Sequence, residues 1–270
     1  MYDYKNGIVT GAGSGIGKAL AYQLASRGSN LALTDIDLPG VSAVAKDIER
    51  RYGVLAKPYQ VNHGSRAQTA RFMEEYHAEF QQLDLLCVNA GIYAKYRIED
   101  TQLETWEKVM QVNFWGAVYL LDEALPRLIA ERRGGILMTA SLAGLIGISG
   151  SAAYSASKFA VVGLAESIRT ELKDYDIKVC ALCPGSIKTN LTRNAITREE
   201  ERPAEIRFQD RFGASAEQAA KAGLEGLAKD RGLVIYPKLH ALPWALKRLS
   251  PRLNEMLAMG VWSMMKRRAS

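Results

Sequence analysis

Cysteine is scarce, with three in 270 residues. That is too few for a disulfide framework, and a chain this long can bury a large core without one. A reducing compartment, the cytoplasm, is therefore expected. Histidine is equally sparse: His63, His77 and His240 stand far apart with no ligand spacing to cysteine or carboxylate, so no metal is expected. No apolar run approaches the roughly 18 residues that span a bilayer. The opening MYDYKNGIVTG has neither a basic nor an apolar stretch, so no leader is expected. Internal repeats, low-complexity tracts and Pro/Ser-rich linkers are missing too. With 48% apolar and 24% charged residues, what remains is the composition of one globular unit, drawn as a single domain over residues 1–270.

The net charge of +6 is not spread through the chain. Lys238, Lys247, Arg248, Arg252, Lys266, Arg267 and Arg268 against Glu255 alone account for all of it, leaving the first 237 residues neutral. A nucleic-acid binder places basic residues along a fold face with aromatic platforms among them, and this body does not, so no nucleic-acid partner is expected. A solvated tail is the plainest account of the basic end.

Short β-branched or apolar runs alternate with longer segments of helical period. Strands are predicted over 7–10, 31–34, 56–61, 83–88, 135–140, 178–183 and 233–236, and helices over 18–27, 40–52, 65–80, 103–130 and 152–172. Such alternation predicts an α/β fold, a Rossmann-type doubly wound parallel sheet of about seven strands with helices on both faces. Cys180 and Cys183 lie three apart on one predicted strand and so face opposite sides; with Cys87 they read as buried strand residues, not as a redox pair. Residues 186–212 follow a strand end, are rich in charge, and are predicted to be an irregular substrate lid or else a mobile surface loop.

After the first strand comes Thr10-Gly11-Ala12-Gly13-Ser14-Gly15-Ile16-Gly17, then a helix. A glycine-rich turn there lets backbone N–H groups approach a pyrophosphate at a helix N-terminus. The spacing is not G-x-G-x-x-G but T-G-x-x-x-G-x-G. The second strand ends at Asp35, whose carboxylate can accept from both ribose hydroxyls of an adenosine and would repel a 2′-phosphate. With Ser14 in the turn and Ile36, not arginine, after the acid, this points to NAD over NADP.

Farther on, Tyr154 and Lys158 stand one helical turn apart and project from one face. A free phenol titrates near pH 10, and a base working near neutrality needs it lowered by about 3 to 4 kcal/mol. One positive charge at about 5 Å, with an effective dielectric near 20, supplies roughly 3 kcal/mol, so Lys158 joined by an oxidised nicotinamide is sufficient. Taken alone, the pair would also fit a surface Tyr and Lys.

Together with Asn89-Ala90-Gly91, Asn113, Ser141 and Pro184-Gly185, in this order and at this spacing, these motifs resemble the short-chain dehydrogenase/reductase family over about residues 5–237. The resemblance implies that Tyr154 donates and accepts the proton, that Lys158 lowers its pKa and holds the nicotinamide ribose, that Ser141 hydrogen-bonds the substrate oxygen, and that Asn113 anchors a proton-relaying water. It implies a cofactor site made of Gly11, Ser14, Gly15, Ile16, Gly17, Asp35 and Ile36. Asn89, Ala90 and Gly91 would pack on the adenosine side, and Pro184, Gly185, Ile187 and Thr189 around the nicotinamide. Where the family often has an acid after the third strand, this chain has Asn62-His63; the Asn62 amide can still accept from adenine. His63 falls at the same adenine end and reads as a loop residue. A homodimer or homotetramer through the 103–130 and 152–172 helices is implied as well, although Val109, Val112, Phe114 and Tyr119 suit an intrachain core equally.

The extension over 238–270 departs from the simplest family members. Ser250-Pro251 reads as a helix start, and Leu253, Met256, Leu257, Gly260, Val261, Met264 and Met265 recur at steps of three and four. Such a helix could close a lipophilic pocket, pack on a neighbouring subunit or make peripheral membrane contact; its basic end also simply complements a helix dipole. The expected activity is hydride transfer between NAD(H) and a small secondary alcohol or ketone of moderate hydrophobicity, the latter from Leu142, Ile146, Ile148 and the Met-rich end. The alternatives are an NADP-dependent carbonyl reductase and a non-catalytic nucleotide-sensing or membrane-docking protein on the same fold.

Overall fold

The structure, a computed structural model, describes residues 4–269. In chain order it runs β1 (Asn6–Thr10), α1 (Gly15–Ala25), β2 (Asn30–Asp35), α2 (Leu38–Tyr52), β3 (Ala56–Gln60), α3 (Arg66–Glu79), β4 (Leu85–Val88) and the two-residue β5 (Ala94–Lys95). Then follow α4 (Leu103–Met110), α5 (Gly116–Glu131), β6 (Gly134–Thr139), α6 (Ala152–Leu172), β7 (Ile177–Pro184) and β8 (Ile196–Thr197). The chain closes with α7 (Arg202–Phe212), α8 (Ala216–Ala228), β9 (Leu233–Tyr236), α9 (Ala241–Leu249) and α10 (Pro251–Ala269).

Seven strands form one parallel sheet in the order β3-β2-β1-β4-β6-β7-β9. The order reverses between β1 and β4; in open α/β sheets the ligand crevice lies at this point, outside the carboxyl ends of the strands. Alternate strand residues serve opposite faces. Cys180 and Leu182 join α1, α2 and α8 in one core, whereas Ala181 and Cys183 join α3, α5 and α6 in the other. All three cysteines are free and buried. Local signals agree with these elements: Ser65 and Ser215 cap α3 and α8 by accepting from Gln68 N and Gln218 N, and Gly53 ends α2 in the left-handed region.

Three sequence expectations need correction. The 103–130 helix is interrupted by a π-helical turn over Gln111–Trp115, centred on Asn113, whose amide is pulled into bonds with another segment. Helix α1 begins at Gly15, earlier than expected, so the glycines themselves form its N-terminus. Residues 186–212 are not irregular throughout: β8 pairs in parallel with β5 and Pro203 opens α7 in its first turn.

Candidate active site

At the crevice, Thr10 ties the ends of β1 and β4 together. Its Oγ1 accepts from Asn89 N and Ala90 N, each at 2.8 Å, while Asn89 Nδ2 donates to Thr10 O at 3.0 Å. Gly11 and Gly15 hold φ of +64° and +54°, values that disfavour any side chain. A Cβ on Gly17 would lie 2.1 Å from Gly11 O. The turn is thus stripped of side chains and ends in a helix whose first bond is Lys18 N to Ser14 O at 3.1 Å, so the preceding amides point out of the helix end. Ser14 makes no cap bond and is exposed, and Ile16 is half-buried beside it. A Cβ on Gly15 would stand 3.0 Å from Thr189 Cγ2, so Thr189 reaches the phosphate end. This cradle fits a pyrophosphate.

Asp35 ends β2 with its carboxylate against the turn: Oδ2 accepts from Gly13 N at 2.9 Å and Oδ1 from Asp37 N at 3.0 Å. Each oxygen keeps a lone pair for a hydroxyl donor. Ile36 is 66% exposed beside it. Asn62 is exposed, its Oδ1 accepting from Gly64 N at 3.0 Å. His63 is not the surface loop residue expected: its ring is buried, shares a 2.7 Å hydrogen bond with Thr34 Oγ1, and faces Thr69. Its imidazole is committed to the protein interior, and burial pulls its pKa down to about 4.

The chemical end is built on α6. Tyr154 and Lys158 are both buried, and Lys158 Nζ lies 5.8 Å from the Tyr154 ring centroid while donating to Thr139 O at 3.0 Å. Ser141, just beyond the end of β6, stands by the Tyr154 hydroxyl and favours its charged form, and its Oγ accepts from Ala143 N at 3.1 Å. Burial pushes the phenol up to about 12, the Ser141 hydroxyl acting in the opposite direction. The same burial pulls Lys158 down to about 8. In the protein by itself burial is the largest influence on Tyr154; the lowering expected of it joins Lys158 to an oxidised nicotinamide, whose charge favours the phenolate only when it is bound.

Asn113 is clamped on three sides. Its Nδ2 donates to Ile92 O at 3.0 Å and Ser157 Oγ at 2.9 Å, and its Oδ1 accepts from Ile92 N at 2.7 Å. Gly91, expected on the adenosine side, lies at this end: a Cβ there would stand 3.1 Å from Asn113 Oδ1 and 3.4 Å from Lys158 Nζ. Ala90 packs against Gly11 instead.

Several residues of this site carried no signal that single-sequence reading used. Ser157 sits inside the Tyr154–Lys158 turn and joins it to Asn113 by donating to Tyr154 O at 2.7 Å. Tyr93 meets the Tyr154 ring edge-on at 4.9 Å and bonds Ser151 at 3.0 Å. The 186–212 segment is tied down by Lys95 with Glu205, by Arg198 with Asp100 at 2.8 Å, and by Gln209 Nε2 donating to Ile187 O at 2.6 Å. Beyond Pro184, the His240 ring occupies the space a side chain on Gly185 would need, its Nδ1 1.7 Å from that Cβ position. Lys247 donates to Leu145 O at 2.8 Å and lies 4.7 Å over the Phe159 ring. The C-terminal extension is thus strapped to the walls around Ser141 and Gly185.

Among known families, the short chain dehydrogenase family matches residues 5–200. A Mycobacterium tuberculosis (strain ATCC 25618 / H37Rv) protein designated an oxidoreductase, SadH, is 34% identical over 239 residues, covering 87% of this chain and 86% of its own. A short chain dehydrogenase/reductase from Burkholderia phymatum, solved in complex with NAD, superposes with a TM-score of 0.86 at 25% identity, covering 94% of this chain and 96% of its own. A short-chain dehydrogenase from Sphingobium yanoikuyae in complex with NADPH shares the fold, with a TM-score of 0.79 at 23% identity over 92% of this chain and 96% of its own.

Proposed function

The chain belongs to the short-chain dehydrogenase/reductase family, and from that premise we propose that it is an NAD-dependent oxidoreductase interconverting a secondary alcohol and a ketone. The observation that carries this reading is the buried Ser141–Tyr154–Lys158 constellation beside a side-chain-free turn at a helix N-terminus. A bound dinucleotide would supply the hydride chemistry. The pyrophosphate would rest against the glycine-rich turn on the outward-pointing amides at the start of α1, with Thr189 over it. Asp35 would take the adenosine ribose. Pro184, Gly185 and Ile187 would wall the nicotinamide end, and Asn62 would meet adenine.

The protein's own part is orientation and proton traffic. Ser141 and Tyr154 hydrogen-bond the oxygen on which charge changes during the reaction, and Tyr154 moves the proton. Burial holds the phenol above its ordinary value, at about 12. The positive charge of Lys158 and that of an oxidised nicotinamide both favour the phenolate. Asn113 positions the surroundings of Lys158 through Gly91 and Ser157. Leu142 and Ile146, both half-buried, would give the substrate apolar contact. The reading includes a homo-oligomer, as in the family at large, working in the cytoplasm.

Asp35 carries the cofactor choice, and Asp35→Ala tests it. Wild type should turn over a panel of apolar secondary alcohols with NAD at least tenfold better in kcat/KM than with NADP, and the variant should lose that preference, since a carboxylate no longer repels a 2′-phosphate. Equal use of both cofactors by wild type would overturn NAD dependence; turnover of polar sugars only would overturn the substrate class.

A further inference from the structure

The extension carries both the charge of the molecule and a concentration of uncovered apolar side chains. Leu239, Leu242, Leu249, Met256, Leu257 and Met259 are each more than half exposed. They fall within 21 residues. The amphipathic rule expects the Leu253-Met256-Leu257 stripe of α10 to be buried, yet it faces outward. Lys238, Arg248 and Arg252 are exposed in the same segment, and the basic run Lys266-Arg267-Arg268 follows.

We propose that α9 and α10 form a docking surface for an anionic phospholipid bilayer, lying in its interface. Two occupants compete for such a surface, and charge decides between them. A second copy of the chain meeting it across a twofold axis would set a +6 segment against a +6 segment. An anionic surface attracts the same residues while its acyl boundary takes the leucines and methionines. The helices rest on the bilayer and do not cross it: among the described residues no helix is long and apolar enough to span one. The segment is fixed to the body by Lys247 on Leu145 and by Arg97 over the Trp262 ring at 5.7 Å, so docking would hold the protein in one orientation.

Co-sedimentation of the full chain with vesicles tests this independently of catalysis, because the readout is partition. Binding is expected to vesicles of equal parts phosphatidylcholine and phosphatidylglycerol, and at least about tenfold weaker binding to phosphatidylcholine alone, with loss as salt rises. Arg248→Gln with Arg252→Gln should weaken partition about 25-fold, a factor of about five for each charge. Leu249→Glu with Met256→Glu should abolish it, while NAD binding and the melting temperature stay as in wild type. A wild-type chain that ignores both vesicle types overturns the proposal. So does a Leu249→Glu/Met256→Glu variant that still binds vesicles, or one whose only change is a smaller oligomer in sedimentation velocity, which would give the face to a second copy.

Discussion

His63 illustrates how position decides what an ionisable side chain does. The folded protein keeps it neutral down to about pH 4, against an ordinary value of 6.5, because burial penalises the imidazolium. An unfolded chain binds the proton near 6.5. The contribution of His63 to stability is therefore full above about 6.5 and falls, by on the order of 3 kcal/mol, as pH drops toward 4. Urea unfolding at about pH 7 and about pH 5 should show a smaller loss of stability for His63→Gln than for wild type; equal losses would contradict the assignment. The sequence places His63 after a strand but does not show that Thr34 and Thr69, from two other elements, enclose it. Tyr154 and Lys158 were legible as one face of a helix from their spacing, but that they and Ser141 form a site was legible only from the order of all the motifs together. The pKa of Tyr154 was not, because it depends on how completely neighbours such as Tyr93 exclude water.

Elements that follow from local pattern agree with the sequence, and elements that follow from distant contacts do not. All seven sheet strands stood out as apolar or β-branched runs between turn signals. The π-helical turn at Asn113 and the β5–β8 pair did not, since each depends on bonds to residues far along the chain, such as Asn113 to Ile92 and Ile196 N to Tyr93 O at 2.9 Å. The same logic makes the meeting of two elements a sensitive point. The 3-10 turn after Ser141 touches α6 where a Cβ on Gly144 would lie 2.5 Å from Lys158 O, a backbone atom that cannot give way. Gly144→Ala should push Ser141 away from Tyr154 and lower kcat by about a hundredfold with NAD affinity unchanged. An unchanged kcat would show that the two elements do not need this approach.

In the whole molecule, one crevice gathers the glycine turn, Asp35 and the Ser141–Tyr154–Lys158 set at the carboxyl ends of the strands, where the order of the sheet reverses. That arrangement was readable from motif order. The path of the extension was not: it depends on Gly185 leaving room for His240 and on Lys247 finding a backbone carbonyl at Leu145, neither of which has a local signature. Its charge imbalance was visible, but not its seating beside the cleft.

The central claim is that the Tyr154 hydroxyl carries the proton of an alcohol–ketone interconversion. Steady-state turnover of Tyr154→Phe, measured beside its NAD dissociation constant, tests it most directly. The phenyl ring keeps the shape of the site and removes only the proton-bearing oxygen, so kcat should fall by about 10² to 10⁴-fold with NAD affinity unchanged. A variant that turns over as fast as wild type would contradict the account.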